Sequence, residues 1–438
     1  MSHHPARDRV MAVIPEQSAA AAYTRPMTRV GNRSASQGRG EDAVLLGDPA
    51  GLAVSPAADP EGPASPPGRH RRSRGWRPID LIPLWRPLSV LVAARLVMWF
   101  ATYVYTHVTH QYSLTLWDGG WYVLAAQHGW PHHVSAQLDG AGQNTLAFFP
   151  AFPTVIRAVH FLVPLTWLRA GQVAAFICEM AMVSGVWLLA RDVWGRTVAD
   201  RSVVLLCFFP GAFILVLMYS EPLTIATAAF CLLALRRQQW VVAGIMAALC
   251  ATTRIIGVAV IAACVWEAAV AIRRDRRWRS TVAVVMAPAG ILAWFAYLWA
   301  STGDRLAWLH TEENGWAQHS SVMAIPDLVK SALHTHPADM NQVLALASTA
   351  LGVVLLVVLV AARGPATFVV YSAAVLVLSA TSVNPAGIRF RFVMTAFPLV
   401  IIMAKLLKDA AFSAAVALCS VLTGVLLVVT VTNASLIP

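Results

Sequence analysis

Apolar runs of roughly 17 to 22 residues recur along the chain after about residue 85 and alternate with short polar or basic stretches. A helix of that length can cross a hydrocarbon core of about 30 Å. The pattern therefore predicts an all-α, polytopic transmembrane helical bundle. The predicted apolar segments lie at about 87–108, 148–166, 172–190, 201–219, 222–236, 240–252, 255–272, 281–301, 343–362, 366–382, 391–407 and 411–432.

The first 80 residues are different in character. They are rich in Pro, Gly, Ala, Ser and Arg, without hydrophobic periodicity, so we expect residues 1–80 to form a disordered tail. They lack the order of regions found in a signal peptide. The basic cluster at 69–77, just before the first apolar segment, predicts a cytoplasmic N-terminus. Residues 81–438 are predicted to form a single transmembrane domain.

Composition supports a membrane protein and argues against two other classes. The chain is 58% hydrophobic and 13% charged, whereas soluble domains are about 25% charged. The net charge of +11 comes from the tail and a few short loops, which indicates membrane topology rather than nucleic-acid binding. None of the six cysteines has CxxC spacing, so neither a zinc site nor a disulfide framework is predicted.

Basic loops set the predicted orientation in the cell membrane, because they favour the cytoplasmic side. With a cytoplasmic N-terminus, the basic loops can all face the cytoplasm only if one predicted segment does not cross the membrane. Segment 148–166 contains three prolines together with Arg157 and His160, so we expect it to be re-entrant or interfacial. Eleven spans remain. This count places the loops 109–147 and 302–342 on the outer face, with the short turns "MYSEP", "TTR" and "NPAGIRFR".

Asp118 is the first candidate for chemistry on that face. It lies in "LWDGGWY", between Trp117 and the aromatic residues Trp121 and Tyr122. These three aromatic side chains could form part of an interfacial belt, bind the sugar or lipid head of a substrate, or do both. One interpretation is a solvated acid within an interfacial aromatic belt. The other is a partly desolvated carboxylate that acts as a general base, with neighbouring glycines that allow close approach of another group.

Four further charged residues occur at outer helix entrances. Glu221 could cap a helix, or it could order an active site by binding an arginine or a substrate hydroxyl. Arg254, Arg389 and Arg391 could extend towards the interface, or they could bind a phosphate through paired guanidinium hydrogen bonds. Ionisable residues at such depth are functional candidates.

Two other features carry no assigned role. The outer loop 302–342 holds Asp304, His310, Glu312, Glu313, Trp316 and His319 without the spacing of metal ligands. We therefore expect a structural or substrate-contacting helix there, with no metal. Glu179 lies in the middle of an apolar segment and must find a partner inside the bundle.

The motifs, taken in order, resemble one family. "WDGGWY", "FFPAFPTVIR", "FFPGAFILVLMYSEPLTI", "TTRIIG", "GDRLAWLHTEENGW" and "RFRFVMTAFPLVI" follow the order seen in the PIG-V-like mannosyltransferases, which are membrane glycosyltransferases of the GT-C class. The resemblance covers about residues 85–410. Ile255 and Phe152 depart from the residues usual in that family, which leaves the acceptor open.

The resemblance implies a bundle with an extracytoplasmic active site and a polyprenyl-phosphate mannose donor, with Asp118 in the position of the base. One base and one displacement would give transfer with inversion, and a single-phosphate donor requires neither metal nor cofactor. Because the composition is Ala- and Arg-rich, as in many bacterial proteins, we expect a glycan, lipid or protein acceptor of the cell envelope. A transporter or lipid flippase and a non-catalytic scaffold are the alternatives, although the sequence shows no internal repeat of the kind common in transporters.

Overall fold

The computed structural model describes residues 84–109, 117–134, 142–334, 339–383 and 387–432. The predicted tail, residues 1–80, lies outside the described residues. Within these ranges the backbone is helical apart from turns and one isolated bridge between Ser320 and Ser382. The all-α helical bundle predicted from the apolar pattern is confirmed.

Seventeen α-helices occur in the described ranges. They are α1 Trp85–Thr109, α2 Asp118–His128, α3 Ala151–Leu162, α4 Trp167–Trp194, α5 Arg196–Phe208, α6 Glu221–Arg236, α7 Trp240–Ala251, α8 Ala259–Asp275, α9 Thr281–Met286, α10 Ala289–Thr302, α11 Ala307–Trp316, α12 Ala324–His334, α13 Met340–Ala361, α14 Ala366–Ala380, α15 Phe390–Thr395, α16 Pro398–Leu406 and α17 Asp409–Thr432. Short 3₁₀ helices lie at Thr145–Ala147, Pro210–Val216, Ile255–Val258 and Trp278–Ser280.

Six helical stretches are long and apolar enough to cross a membrane. They are Trp85–Val104, Trp167–Trp194, Ile255–Asp275, Trp278–Thr302, Met340–Ala361 and Asp409–Thr430. A seventh arises if α5 and the 3₁₀ helix Pro210–Val216 form one span, although the two are bent by 69°. The chain is thus a multi-pass membrane protein, but the predicted count of eleven spans is not confirmed.

The difference from eleven spans has a local cause. Several predicted segments are interrupted where proline or a turn removes helical hydrogen bonds, as Pro210 does after α5. Segment 391–407 likewise divides into α15 and α16, and α6 has only 16 residues. Apolar pattern alone does not show these breaks, since the residues on both sides remain hydrophobic.

Segment 148–166 contains α3, which has 12 residues. Such a helix is about 18 Å long and cannot by itself cross a core of about 30 Å. Arg157 in this helix donates from Nε to the carbonyl of Ala126 (2.9 Å) near the C-terminus of α2, where a cation is favourable. This contact attaches α3 to the helix that begins with Asp118.

The core of the bundle is centred on α4 and α6. In the span at α4, 67% of residues are buried, against 22% in the span at α17, so α4 is central and α17 peripheral. Small residues allow α4 and α6 to approach: a Cβ built on Gly185 would lie 3.2 Å from that of Ala229. Glu179 of α4 pairs with Arg95 of α1, which supplies the partner that its apolar surroundings require.

Candidate active site

Four of the predicted site residues come from four different helix beginnings. Asp118 and Glu221 are the first residues of α2 and α6. Arg254 immediately precedes the 3₁₀ helix Ile255–Val258, and Arg391 is the second residue of α15. A helix N-terminus favours an acid and disfavours a cation, so each of these arginines needs a carboxylate nearby.

The structure supplies those carboxylates. Arg254 Nη1 donates to Glu221 Oε1 at 2.7 Å, and its Nη2 lies 3.5 Å from Asp118 Oδ2. Arg391 Nη1 lies 3.4 Å from Asp118 Oδ2 and 3.5 Å from Glu221 Oε1. Each acid therefore faces both arginines. We refer to Asp118, Glu221, Arg254 and Arg391 as the charged cluster.

Solvent reaches the members of the charged cluster unequally. The side chain of Asp118 is 25% exposed, those of Arg254 and Arg391 are 17% and 9% exposed, and that of Glu221 is fully buried. Glu221 Oε2 has no hydrogen-bond partner among the described residues. Asp118 is thus the acid that a substrate can reach, while Glu221 holds the two guanidinium groups from inside the protein.

Neutral hydrogen bonds fix the elements that carry the charged cluster. Tyr122 and Ser220 share a hydrogen bond of 2.7 Å between their hydroxyl groups, which joins α2 to the residue before Glu221. Thr224 and Thr253 share one of 2.8 Å, which joins α6 to the residue before Arg254. Both bonds are buried, so their geometry is well defined by the surrounding packing.

Close backbone contacts place the two arginines. A Cβ on Gly211 would lie 2.5 Å from the carbonyl oxygen of Phe390 and 2.9 Å from the amide nitrogen of Arg391. Gly257, three residues after Arg254, is packed in the same way against the carbonyl of Cys250. Only glycine permits such approach, so the motifs "FFPGAF" and "TTRIIG" each contain a residue that brings an arginine into the site.

Aromatic side chains lie beside the charged cluster. The ring of Trp121 stacks on Phe148 with centroids 6.0 Å apart and meets the edge of Trp316 at 5.7 Å. Trp316 ends α11, so α11 packs onto α2. Trp117 has a positive φ of 60° and a buried indole Nε1 for which the described residues provide no acceptor.

Arg389 does not join the charged cluster. Its Nη1 donates to the carbonyl of Asn341 at 2.8 Å, and in the described ranges no ion pair links it to Asp118 or Glu221. The side chain is buried. It therefore holds the start of α15 against α13, two residues before Arg391. Its role in substrate binding stays a prediction.

Glu312 lies near the site, and the sequence pattern assigned it no individual role. It belongs to α11, one turn before Trp316, so both lie on the helix face that meets α2. Burial, with a smaller contribution from the Asp118 carboxylate, raises the pKa of Glu312 to about 8, and Arg254 opposes this shift. The adjacent acids in "HTEENGW" mark this segment in the sequence. Nothing in the sequence shows that the segment packs near Asp118.

Side chains of the types that bind metal ions occur in α11 and in the residues just before it. In the described ranges no group of three or more His, Cys, Asp or Glu side chains is placed to hold a metal ion. His310 pairs instead with Asp304, with 2.6 Å between Nδ1 and Oδ2. The expectation that the reaction needs no metal stays a prediction.

No protein-family model and no curated protein matches the chain. Two crystal structures of ArnT from Cupriavidus metallidurans show partial similarity. The one bound to undecaprenyl phosphate has 16% identity and a TM-score of 0.48, and covers 75% of this chain and 62% of ArnT. The apo structure has 16% identity and a TM-score of 0.47, with coverages of 72% and 58%. Similarity of this degree assigns no activity or substrate to the present chain.

Proposed function

We propose that the chain is an integral-membrane glycosyltransferase that moves a hexose from a polyprenyl-phosphate donor to an acceptor hydroxyl, with inversion, on the extracytoplasmic face. The observation that carries this proposal is the charged cluster, in which one accessible carboxylate lies between two guanidinium groups. The resemblance to PIG-V-like enzymes suggests mannose as the hexose. It also suggests a glycan, lipid or protein of the cell envelope as the acceptor.

Asp118 is the proposed general base. Its carboxylate accepts the proton of the acceptor hydroxyl while that oxygen attacks the anomeric carbon from the face opposite the lipid phosphate. The new C–O bond forms as the bond between the anomeric carbon and the phosphate oxygen breaks. The bonding electron pair leaves with the lipid phosphate. A single displacement of this kind inverts the configuration at the anomeric carbon.

Arg254 and Arg391 are the proposed groups that stabilise the departing phosphate. A guanidinium gives two parallel hydrogen bonds to phosphate oxygens, and such donors act most strongly where water is excluded. Because both arginines are largely buried, their orientation is fixed before the donor binds. Glu221 is a positioning residue in this scheme, since it touches both arginines and is itself closed to solvent.

The aromatic residues beside the charged cluster are proposed to bind the sugar. A hexose presents an apolar C–H face that packs against an aromatic ring, and Trp121 lies three residues after Asp118 on α2. Tyr122 contributes indirectly, because its hydroxyl group is already bonded to Ser220. Trp117 precedes the base and offers an indole N–H that no described acceptor satisfies.

The test is a transfer assay with the purified full-length chain in membranes or nanodiscs. Radiolabelled polyprenyl-phosphate mannose is supplied on the outer face with an envelope extract as acceptor, beside polyprenyl-phosphate glucose and a nucleotide-linked mannose. We expect covalent label in the acceptor fraction from a polyprenyl-phosphate hexose and none from the nucleotide sugar. Undecaprenyl phosphate, the lipid in one ArnT structure, is the product to add as an inhibitor.

A matched control for the variant Asp118→Asn separates loss of chemistry from loss of folding in this assay. Asp304→Asn removes another acid of the outer face, and it should leave transfer unchanged because Asp304 pairs with His310. Labelled donor that crosses the bilayer without any covalent transfer would instead support a transporter or flippase. Transfer from the nucleotide sugar alone would contradict the proposed donor class.

A further inference from the structure

A separate cavity of about 460 Å³ lies between α1, α4 and the segment 210–218. Its volume falls in the range of sites that bind small molecules or parts of larger ones. None of the charged cluster lines it. From Arg95 to Tyr103, which both line the cavity, α1 rises about 12 Å. The cavity is therefore long enough to hold an extended chain.

Exposed side chains of two candidate membrane-spanning helices line the open side of the cavity. Trp99 and Tyr103 of α1 and Val173 of α4 line it and are 45%, 59% and 39% exposed. Both helices are long and apolar enough to span a membrane, so surface exposed at these positions contacts hydrocarbon. An occupant would enter from the lipid phase rather than from water.

A buried ion pair forms part of the cavity lining. Arg95 and Glu179 are 3% and 1% exposed and form a salt bridge, and Arg95 also donates from Nη2 to the carbonyl of Leu215. Arg95 Nη1 is buried and has no acceptor in the described part of the chain. A buried donor without a partner costs free energy. An occupant that offers an acceptor oxygen to this nitrogen would therefore bind favourably.

The net charge of the Arg95–Glu179 pair determines whether a charged or a neutral oxygen suits Arg95 Nη1. Glu179 neutralises Arg95, so an anionic group added here would leave one uncompensated negative charge in a medium of low dielectric constant. A neutral carbonyl satisfies the donor without that penalty. Most of the remaining wall is apolar, which suits a hydrocarbon chain. We propose that this cavity binds the acyl chain of an ester-linked membrane lipid, whose carbonyl oxygen accepts a hydrogen bond from Arg95 Nη1.

The cavity adjoins the active site without being part of it. Met218 lines the cavity and lies three residues before Glu221. A Cβ on Gly171 would be 2.8 Å from Met218 Sδ and 3.1 Å from Val123 of α2, so the cavity wall touches the helix that begins with Asp118. The proposed site requires no sugar transfer, so loss of transferase activity would leave it in place.

The test uses photoreactive lipids in nanodiscs containing the full chain. One probe is a phosphatidylcholine with a diazirine in an ester-linked acyl chain, and the other is the ether-linked analogue, which lacks the carbonyl. Peptide mass spectrometry locates the label. We expect labelling of the peptides that contain Trp99–Tyr103 and Val173–Phe176, with the ester probe favoured at least about threefold, as one buried hydrogen bond implies.

Two variants and a control give the proposal its sharp form. The double variant Arg95→Met with Glu179→Leu replaces the ion pair by apolar groups, which folded proteins tolerate better than the loss of one partner. It should keep its thermal transition and lose the preference for ester over ether. Ala175→Phe fills the cavity and should abolish the labelling, whereas Val421→Phe, at an exposed position of α17, should not.

Three results would overturn the proposal. They are equal labelling by the ester and ether probes in the wild-type chain, label located only on other helices, and displacement of the ester probe by undecaprenyl phosphate, which would assign the cavity to a prenyl chain. If either cavity variant fails to fold, the comparison of the two probes on the wild-type chain still decides.

Discussion

Glu221 offers the most demanding test of the charged cluster, because it is buried and carries no proposed chemistry of its own. The perturbation is Glu221→Gln, which keeps the side-chain volume and removes the charge, combined with Arg254→Met in a double-mutant cycle. If Glu221 holds Arg254 in place, the effects of the two substitutions on the free energy of unfolding will not add.

The size of the coupling follows from the geometry. At the 2.7 Å between Arg254 Nη1 and Glu221 Oε1, the Coulomb attraction with an effective dielectric constant of about 20 is roughly 6 kcal/mol, and desolvation of the two charges offsets most of it. Directly contacting residues show coupling energies of about 0.5–3 kcal/mol. Because Glu221 is fully buried, we expect a coupling of about 2 kcal/mol.

The assay is the free energy of unfolding of the four proteins of the cycle, measured in mixed detergent micelles. The control cycle combines Arg86→Met with Asp200→Asn, a pair 3.6 Å apart with side chains 46% and 35% exposed. Exposed pairs of that kind contribute about 0–1 kcal/mol. Additive effects of Glu221 and Arg254 within about 0.5 kcal/mol, equal to the control, would refute the argument that Glu221 positions the arginine.

Two further predictions concern Glu312 and Gly211. The pKa of Glu312 is raised to about 8. Between about pH 4.5 and 8 the folded chain therefore binds up to one more proton than the unfolded chain. The free energy of unfolding consequently falls as pH rises through that window, by up to roughly 1.4 kcal/mol per pH unit. Glu312→Gln should remove this slope in unfolding measured from pH 5 to 8, and an unchanged slope would contradict the assignment. Gly211→Ala forces a Cβ to 2.5 Å from the carbonyl of Phe390 and should cost about 1–3 kcal/mol, with a matching loss of sugar transfer. Gly424→Ala, which meets nothing within 4 Å, should be neutral in both measurements, and equal effects of the two glycine substitutions would show that the contact at Phe390 is unimportant.

The helical class of the fold was predictable because it depends on composition and on runs of apolar residues, and both are properties of local sequence. The number of spans was not, because breaks such as the one at Pro210 leave the residues on either side hydrophobic. The 69° bend there follows from a proline together with the packing of Gly211 against Phe390. Only the second of these requires knowledge of the tertiary structure.

The candidate site shows the same division between local and distant information. Asp118, Glu221, Arg254 and Arg391 could be selected because charges are rare beside apolar segments, and the structure brings these four together. Arg389 is also a charge beside an apolar segment, yet it lies outside the charged cluster and donates a hydrogen bond to the carbonyl of Asn341.

Contacts between distant segments were beyond the reach of sequence. Arg95 lies 84 residues from Glu179 in the chain, and nothing local marked the two as partners. Glu312 was similarly one acid among several in a polar segment, and its position beside α2 depends on the packing of Trp316 against Trp121.

The most direct test of the proposed mechanism is the single-turnover rate of hexose transfer by Asp118→Asn at saturating polyprenyl-phosphate mannose. The substitution preserves shape and removes the proton acceptor, and general base catalysis typically contributes about 10²–10⁴-fold. We predict a rate lower by that factor in a variant that still folds and still binds the donor. A variant that folds, binds the donor and transfers at the wild-type rate would contradict the assignment of Asp118 as the base.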